Sequence, residues 1–452
     1  MAGGNFGGGT GTELDPYLVE DADDINAVRN NLTAYYKQIV DIDLSGYINW
    51  DPIGNVDIGP PFQGWYDGYL FEIENLKVNS NASHIGLFSI LYQATVKRII
   101  VKNADIQGNA YQWGGMLTGG IVQSVVDGCR TEGSIYLTHD SGSAGGFTGF
   151  IEGGSTVDKC SVTGSVRAKI AGGFCPFISD PVSDCFMVGS VSGLSDTEPA
   201  YLGGFAYQAY SSAEIYSCFV AVSMLNCGDN STIGGFAAYN SGSISSCYYD
   251  SDLSGHTDTG KGIPKTTVEM KQQATFAGWS FTDIWVVDEG QSYPSLKFPH
   301  KLTITISGIG TTDPVVGTYL HNEAEIVDLS AIAGTESRFV NWEGNVSNAK
   351  SANTTIAIGT TDETVIAVFM PGGFNANLAG IITKDIKPLT FKRASHTDSK
   401  QSADAVNDNF RQVSTYTGTV TKTLKQYNQN LGTLNGNIEE IRQILIDAGI
   451  IV

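Results

Sequence analysis

Two aspartates, Asp127 and Asp158, each stand two residues before a cysteine, Cys129 and Cys160, in two similar segments of the chain. If those segments stack, the two backbones come within about 5 Å. Paired carboxylates at that separation suit a retaining glycosidase or a cation site. Turn aspartates that cap backbone N–H groups would show the same spacing. Asp184 lies one residue out of step with Cys185 and does not extend the pair cleanly. Six aromatics, Trp50, Trp65, Tyr66, Tyr69, Tyr111 and Trp113, could form a sugar-stacking face or fill a core and its end caps. None of the histidines (His84, His139, His256, His300, His321 and His396) falls at a ligand spacing from another or from a cysteine pair. Phosphate-binding loops, nucleophile elbows and metalloprotease helices are not legible either. No catalytic residue, metal ligand or cofactor is therefore expected.

The totals narrow the partners. Of 452 residues, 26 are Lys or Arg and 47 are Asp or Glu, a net charge of −21. Such an acidic surface repels phosphate backbones and anionic lipid heads, so neither nucleic acid nor membrane insertion is expected. No run of apolar residues is long enough to span a bilayer. The opening residues have neither the basic nor the apolar region of a secretory signal. The seven cysteines are an odd number, and five of them recur in register. A reduced, buried stack made in a cytosol is expected, with Cys175 and Cys227 incidental to it.

The elements that must position these residues are degenerate repeats between about Ile85 and Asp250. Gly-Gly doublets followed by an apolar residue begin at Gly114, Gly145, Gly172, Gly203 and Gly234, separated by 31, 27, 31 and 31 residues. Cys129, Cys160, Cys185, Cys218 and Cys247 follow them, and an earlier worn copy reads Ile85-Gly86-Leu87-Phe88, with Ile100 at the cysteine position. A period near 30 built from glycines, turns and β-branched runs predicts a solenoid. Strands are expected over Val162–Val166, Phe186–Val191 and Ala213–Val222. The fold class read here is mainly β: a right-handed parallel β-helix, then a second small β domain and a C-terminal α-helical coiled coil. Each doublet would mark a corner needing positive φ or close backbone approach, and each cysteine would point inward.

These units resemble the GLUG-type repeats of bacterial and phage surface proteins. The flank before them is similar as well: Gly11-Thr12, Asp15-Pro16-Tyr17-Leu18-Val19, Tyr35-Tyr36-Lys37 and Asp41 through Ser45. So is the exit from Tyr248-Tyr249-Asp250 through Gly278-Trp279-Ser280-Phe281 to Tyr293-Pro294-Ser295-Leu296. The resemblance covers roughly residues 10 to 298 and implies a fold more than an activity.

Asp21 to Leu32 predicts a short helix over one end of the solenoid, and Thr266 to Gln273 another over the far end. From Lys301 to Met370, strands are expected at Thr303–Ile306, Glu325–Leu329, Phe339–Trp342, Thr354–Ala357 and Thr364–Phe369. This stretch resembles the internalin-type bacterial repeat, which implies a small β-grasp-like domain serving as a spacer. The domains read as 1–10 glycine-rich start, 11–298 β-helix with end caps, 299–371 internalin-type repeat, 372–397 linker and 398–452 oligomerisation helix.

In the last of these, Val406, Phe410, Val413, Val420, Leu424, Tyr427, Leu431, Leu434, Ile438, Ile441 and Leu445 fall at heptad spacing, broken only at Thr417. Leucine at a with β-branched residues at d favours trimers or tetramers over dimers, and a homotrimer is expected. The whole pattern points to a non-enzymatic virion fibre, spike or appendage of a phage, on head or tail. It would join other virion proteins and meet a glycan or protein on the surface of a Gram-positive host. A bacterial cell-surface adhesin and a tailspike-like polysaccharide depolymerase are the alternatives.

Overall fold

The repeats form strands because apolar and small residues alternate within short runs, and no run is long enough to bury one side by itself. A computed structural model describes residues 6–371 of the chain, which divide into two compact units. The heptad positions Val406 to Leu445 lie outside the described residues.

The first unit takes in residues 6–303 with Gly317–Val327 and Ala357–Glu363. Most of it is a parallel β-solenoid. A coil contains four short strands, as in Ser143–Gly145, Phe150–Glu152, Thr156–Asp158 and Ser161–Arg167. Equivalent strands of successive coils pair in parallel and in register, giving four ladders. Where one strand was expected over Ala213–Val222 there are two, Glu214–Tyr216 and Phe219–Cys227, because the chain turns a corner at Ser217 and Cys218.

That corner recurs. The residue before each ladder cysteine has left-handed backbone: Gly128, Lys159, Asp184, Ser217 and Ser246, with φ between 50° and 67°. Each of the five cysteines that follows is buried and free. Neighbouring coils lock there, since the Cys160 N–H donates to Cys185 Sγ at 3.3 Å and the Cys185 N–H to Cys218 Sγ at 3.4 Å. Burial pushes the Cys129, Cys185 and Cys247 thiols well above their usual range. In the worn copy the cysteine place is taken by Ile99, not Ile100, because Ile100 pairs with Arg130. Cys175 stands outside this ladder, as expected. It follows Phe174 into the same core and is fully buried.

For the doublets, the structure chooses between the two expected reasons. None of their glycines has positive φ. They serve close approach: a Cβ on Gly173 would overlap the Gly204 carbonyl oxygen, and one on Gly204 that of Gly235. The first doublet is also one place out of register, for Gly114 pairs with Ala144, so Gly115 lies opposite Gly145. With the backbones this close, the aromatic residues behind the doublets stack. Phe147, Phe174, Phe205 and Phe236 are fully buried with ring centroids 4.8, 4.8 and 4.9 Å apart and interplanar angles of 11°, 1° and 7°. A buried phenylalanine contributes about 2 kcal/mol by transfer, and each ring pair adds about 1 kcal/mol.

At the first end, Asp21 caps the helix Ala22–Ala27 by accepting from the Asp24 N–H at 2.8 Å, and Ile25 and Val28 enter the core. At the other end, no α-helix forms over Thr266–Gln273. The segment makes the 3₁₀ turns Glu269–Lys271 and Gln273–Thr275. The last coil is instead closed by the strand Ile263–Lys265, parallel to Tyr248–Asp250, and by Asp258, which accepts from the Gly235 N–H at 3.1 Å. The chain then returns along the outside of the solenoid. Trp279, Trp285 and Leu296 form a second cluster with Phe219 and Tyr248, and Phe298 lies under the Arg130 guanidinium at 3.4 Å.

The second unit comprises Ile304–Val316, Asp328–Ile356 and residues 364–371. Within it, Gly310–Asp313 pairs antiparallel with the strand that carries Ser330 to Ala333, and Ser337–Glu343 pairs antiparallel with Glu363–Pro371. Each strand expected from Lys301 to Met370 is present. Gly310–Asp313 and Gly317–His321 were not expected, because their glycines and threonines carry no apolar alternation.

Candidate functional site

Asp127 and Asp158 do pair across adjacent coils. Their surroundings, however, are those of an ion-pair ladder. Reading along the coils, the same ladder position is held by Lys37, Asp67, Lys97, Asp127, Asp158 and Ser183. Cations thus alternate with the acids over four successive coils, from Lys37 to Asp127, and the corner residues supply more. Arg98 pairs with Asp67, its Nε donating at 3.0 Å, and Lys159 pairs with Asp158. Burial works against the charge on Lys159, and the Asp158 carboxylate outweighs it, so its pKa moves up. Ser183 Oγ also donates to Asp158 at 2.7 Å. Asp184 leaves the ladder at its left-handed corner and accepts from Trp285 Nε1 at 3.0 Å. Burial, with Asp158 adding to it against the Trp285 hydrogen bond, raises its carboxyl to about 6. Asp158 is thus held by Lys159 and Ser183, whereas Asp127 stands between Lys97 and Asp158 on the ladder.

The aromatics separate into two populations. Trp50 and Tyr66 are buried in the core. Trp65 stacks against Tyr35, and Tyr69 lies under the Lys37 ammonium. Tyr111 and Trp113 are different, since they begin a row of outward-facing rings on another face.

Two adjacent ladders build this row. In one, His84, Trp113, Ser143, Ile170 and Tyr201 follow one another on successive coils. In the other, Phe150, Phe177, Gln208 and Tyr239 do so. Trp113 meets Phe150 and Phe177 edge to face, with centroids at 5.3 and 5.2 Å. Phe177 meets Tyr207 at 5.6 Å, and Tyr207 meets Tyr239 at 5.6 Å. Gly120 makes room at the start of the second ladder, because a Cβ there would overlap the Phe150 ring.

A groove of about 330 Å³ runs between the two ladders. Trp113, Phe150, Phe177 and Tyr210 supply its apolar wall, and His84, Glu152 and Ser179 its polar edge. Trp113 and Phe150 are half-buried, whereas Tyr111, Tyr210 and Tyr239 are exposed. Behind His84, the Ser83 hydroxyl contacts both His84 Nδ1, at 2.8 Å, and Asp57. Burial lowers the His84 pKa against the pull of Asp57. In the second unit, an open depression of about 570 Å³ is bordered by Asp313, Asp328 and Asn353, all exposed polar side chains.

Sequence reasoning identified Tyr111 and Trp113 and missed Phe150, Phe177, Tyr207, Tyr210 and Tyr239. A signal was there to be read, for several of these aromatics stand a few residues after a doublet in successive repeats.

No known family's profile matches the chain. A protein of Evansella cellulosilytica described as a Gly-rich membrane protein is 25% identical over 443 residues, a match covering 74% of this chain and 50% of that protein. Halomucin of Haloquadratum walsbyi is 31% identical over 117 residues, which is 22% of this chain and 1% of halomucin. The chain thus spans at most about half the length of these curated relatives. Among solved structures, a Bacteroides ovatus protein described as an immunoglobulin A1 protease aligns with a TM-score of 0.38 and 18% identity, over 65% of this chain and 96% of that one. Among the described residues, no helix is long and apolar enough to cross a membrane.

Proposed function

We propose that this chain is a non-enzymatic adhesion protein, a stiff β-solenoid that presents a binding face at a biological surface. The observation that carries this reading is the row of exposed and half-buried rings laid along consecutive coils. A soluble surface rarely exposes so continuous an apolar strip unless something docks on it. In its fuller form the protein is a trimeric phage fibre or appendage that meets a Gram-positive host. The GLUG-type coils are its shaft, the internalin-type module a spacer, and the heptads from Val406 to Leu445 its trimerisation seam. Three copies would multiply weak contacts through avidity.

A cell-surface adhesin is the second reading, favoured by the relative described as a Gly-rich membrane protein. Mass spectrometry of purified virions separates the two, since absence of the chain from particles removes the phage form. Fluorescently labelled full chain, incubated with a panel of Gram-positive cells, tests adhesion itself; saturable labelling is expected, and none on any cell refutes it. Sedimentation equilibrium at micromolar concentration should give three times the monomer mass. Release of reducing ends from host wall polysaccharide would instead establish a depolymerase, with Asp127 and Asp158 the first residues to substitute.

A further inference from the structure

We propose that the groove between Trp113, Phe150 and Phe177 binds a neutral glycan chain laid along the solenoid axis. The proposal rests on the adhesion reading above and names what that face adheres to.

The geometry of the rings separates this row from the core. Inside, the phenylalanines stack face to face in register and are sealed from water. Outside, Trp113 meets Phe150 and Phe177, and Tyr207 meets Phe177 and Tyr239, at interplanar angles of 79°, 64°, 85° and 84°, so these rings are splayed, while Phe177 and Tyr210 lie near parallel at 21° with centroids 6.3 Å apart. Ring faces carry negative quadrupole charge and attract the weakly positive C–H groups on the flat side of a pyranose. Successive coils set the repeat at about 4.8 Å, close to the length of one hexose unit. From the Trp113 coil to the Tyr239 coil, four steps make roughly 19 Å of track at that spacing.

Polar groups stand where sugar hydroxyls need partners: Glu152 and Ser179 at the groove edge and Gln208 between Phe177 and Tyr239. The volume lies at the lower end of the range for small-ligand sites, as suits a few sugar units bound along an open track. Charge decides the class of glycan. The groove lining includes the Glu152 carboxylate and no Lys or Arg, and the chain as a whole carries −21. An acidic polysaccharide would be repelled. An extended peptide usually adds to a free strand edge, but these strands are paired on both sides along the row. The face therefore offers rings and side-chain polar groups with no free backbone edge.

The test is calorimetric titration of the full chain with cellohexaose, chitohexaose and maltohexaose, and with polygalacturonate as the acidic counterpart. Saturable binding of at least one neutral hexasaccharide is expected, with polygalacturonate at least 10-fold weaker. The Trp113→Ala/Phe177→Ala double variant should lose at least 10-fold in affinity while its urea midpoint stays near that of the parent. Should that variant fail to fold, Tyr210→Ala/Tyr239→Ala removes exposed rings only and should lose about 3-fold or more. Failure of all three neutral hexasaccharides to bind, or full affinity in the variants, overturns the proposal. Labelling of Gram-positive cells is read beside it. If the parent and the ring variants label cells equally, the glycan groove is refuted and adhesion stands; if the parent labels none, adhesion itself has failed.

Discussion

Gly173→Ala should be among the most damaging single-methyl additions in the solenoid. Gly173 has ordinary negative-side backbone, so alanine suffers no φ penalty there. The difficulty is space. The new Cβ would overlap the carbonyl oxygen of Gly204 on the next coil and come within 2.9 Å of Met187 Cγ. The methionine can swing away, but the carbonyl cannot. To restore ordinary contact, the two coils must part by roughly 1 Å on a ladder spaced at about 4.8 Å. Overpacking of this kind costs about 1–3 kcal/mol. The hydrogen bonds that join these two coils, from Gly173 N–H to Gly203 O at 3.1 Å and from Phe174 N–H to Phe205 O at 3.0 Å, would be stretched as well, and weakening each costs about 1 kcal/mol. The expected total is about 3–5 kcal/mol. Urea unfolding followed by far-UV circular dichroism measures it. Two controls belong in the same experiment. Gly46→Ala meets nothing within 4 Å and should stay within about 0.5 kcal/mol of the parent. Gly128→Asn places a side chain at a corner where Lys159, Asp184 and Ser217 already adopt φ near 50°, and should cost less than about 1 kcal/mol. A parent-like midpoint for Gly173→Ala, or an equal loss for Gly128→Asn, would refute the claim that coil spacing dictates the doublets.

Other consequences follow from single side chains. Asp184→Asn keeps an acceptor for Trp285 Nε1 and suits the left-handed corner. Because the folded carboxyl is raised from 3.8 to about 6, the parent's stability is highest when Asp184 is protonated and declines as pH rises between those values. The variant should match the parent near pH 4 and exceed it by about 1 kcal/mol at pH 8, once solvent screening is allowed for; an equal gain at both pH values would contradict the burial argument. Thiol titration of the native chain with an aromatic disulfide reagent should find Cys227, half-exposed, reacting far ahead of the buried ladder cysteines and Cys175, and all seven reacting in urea. Rapid native reaction of more than one thiol would contradict the closed ladder. Phe174→Ala should cost about 4 kcal/mol by thermal or urea melting, since its ring is sandwiched between Phe147 and Phe205.

The two carboxylates show how one spacing can suggest two chemistries. Both stand two residues before a ladder cysteine, and that count placed them side by side on neighbouring coils correctly. What they do there depends on Lys97, Arg98, Lys159 and Ser183, whose approach depends on the corner geometry before each cysteine.

Periodicity alone determined that this chain builds parallel coils, that five cysteines line up inside, and that Asp127 meets Asp158. A repeat of nearly constant length leaves the backbone no other way to bury one face of every unit. The tertiary structure decided matters of register and direction. A shift of one residue set Gly115 opposite Gly145 and put Ile99 in the cysteine position, and side-chain direction in a strand reverses with each such step. It also decided that Trp50 and Tyr66 turn inward while Trp113, Phe150 and Phe177 line a groove. Composition counts all of these as aromatic; only the stacking of one coil on the next says which of them meets water.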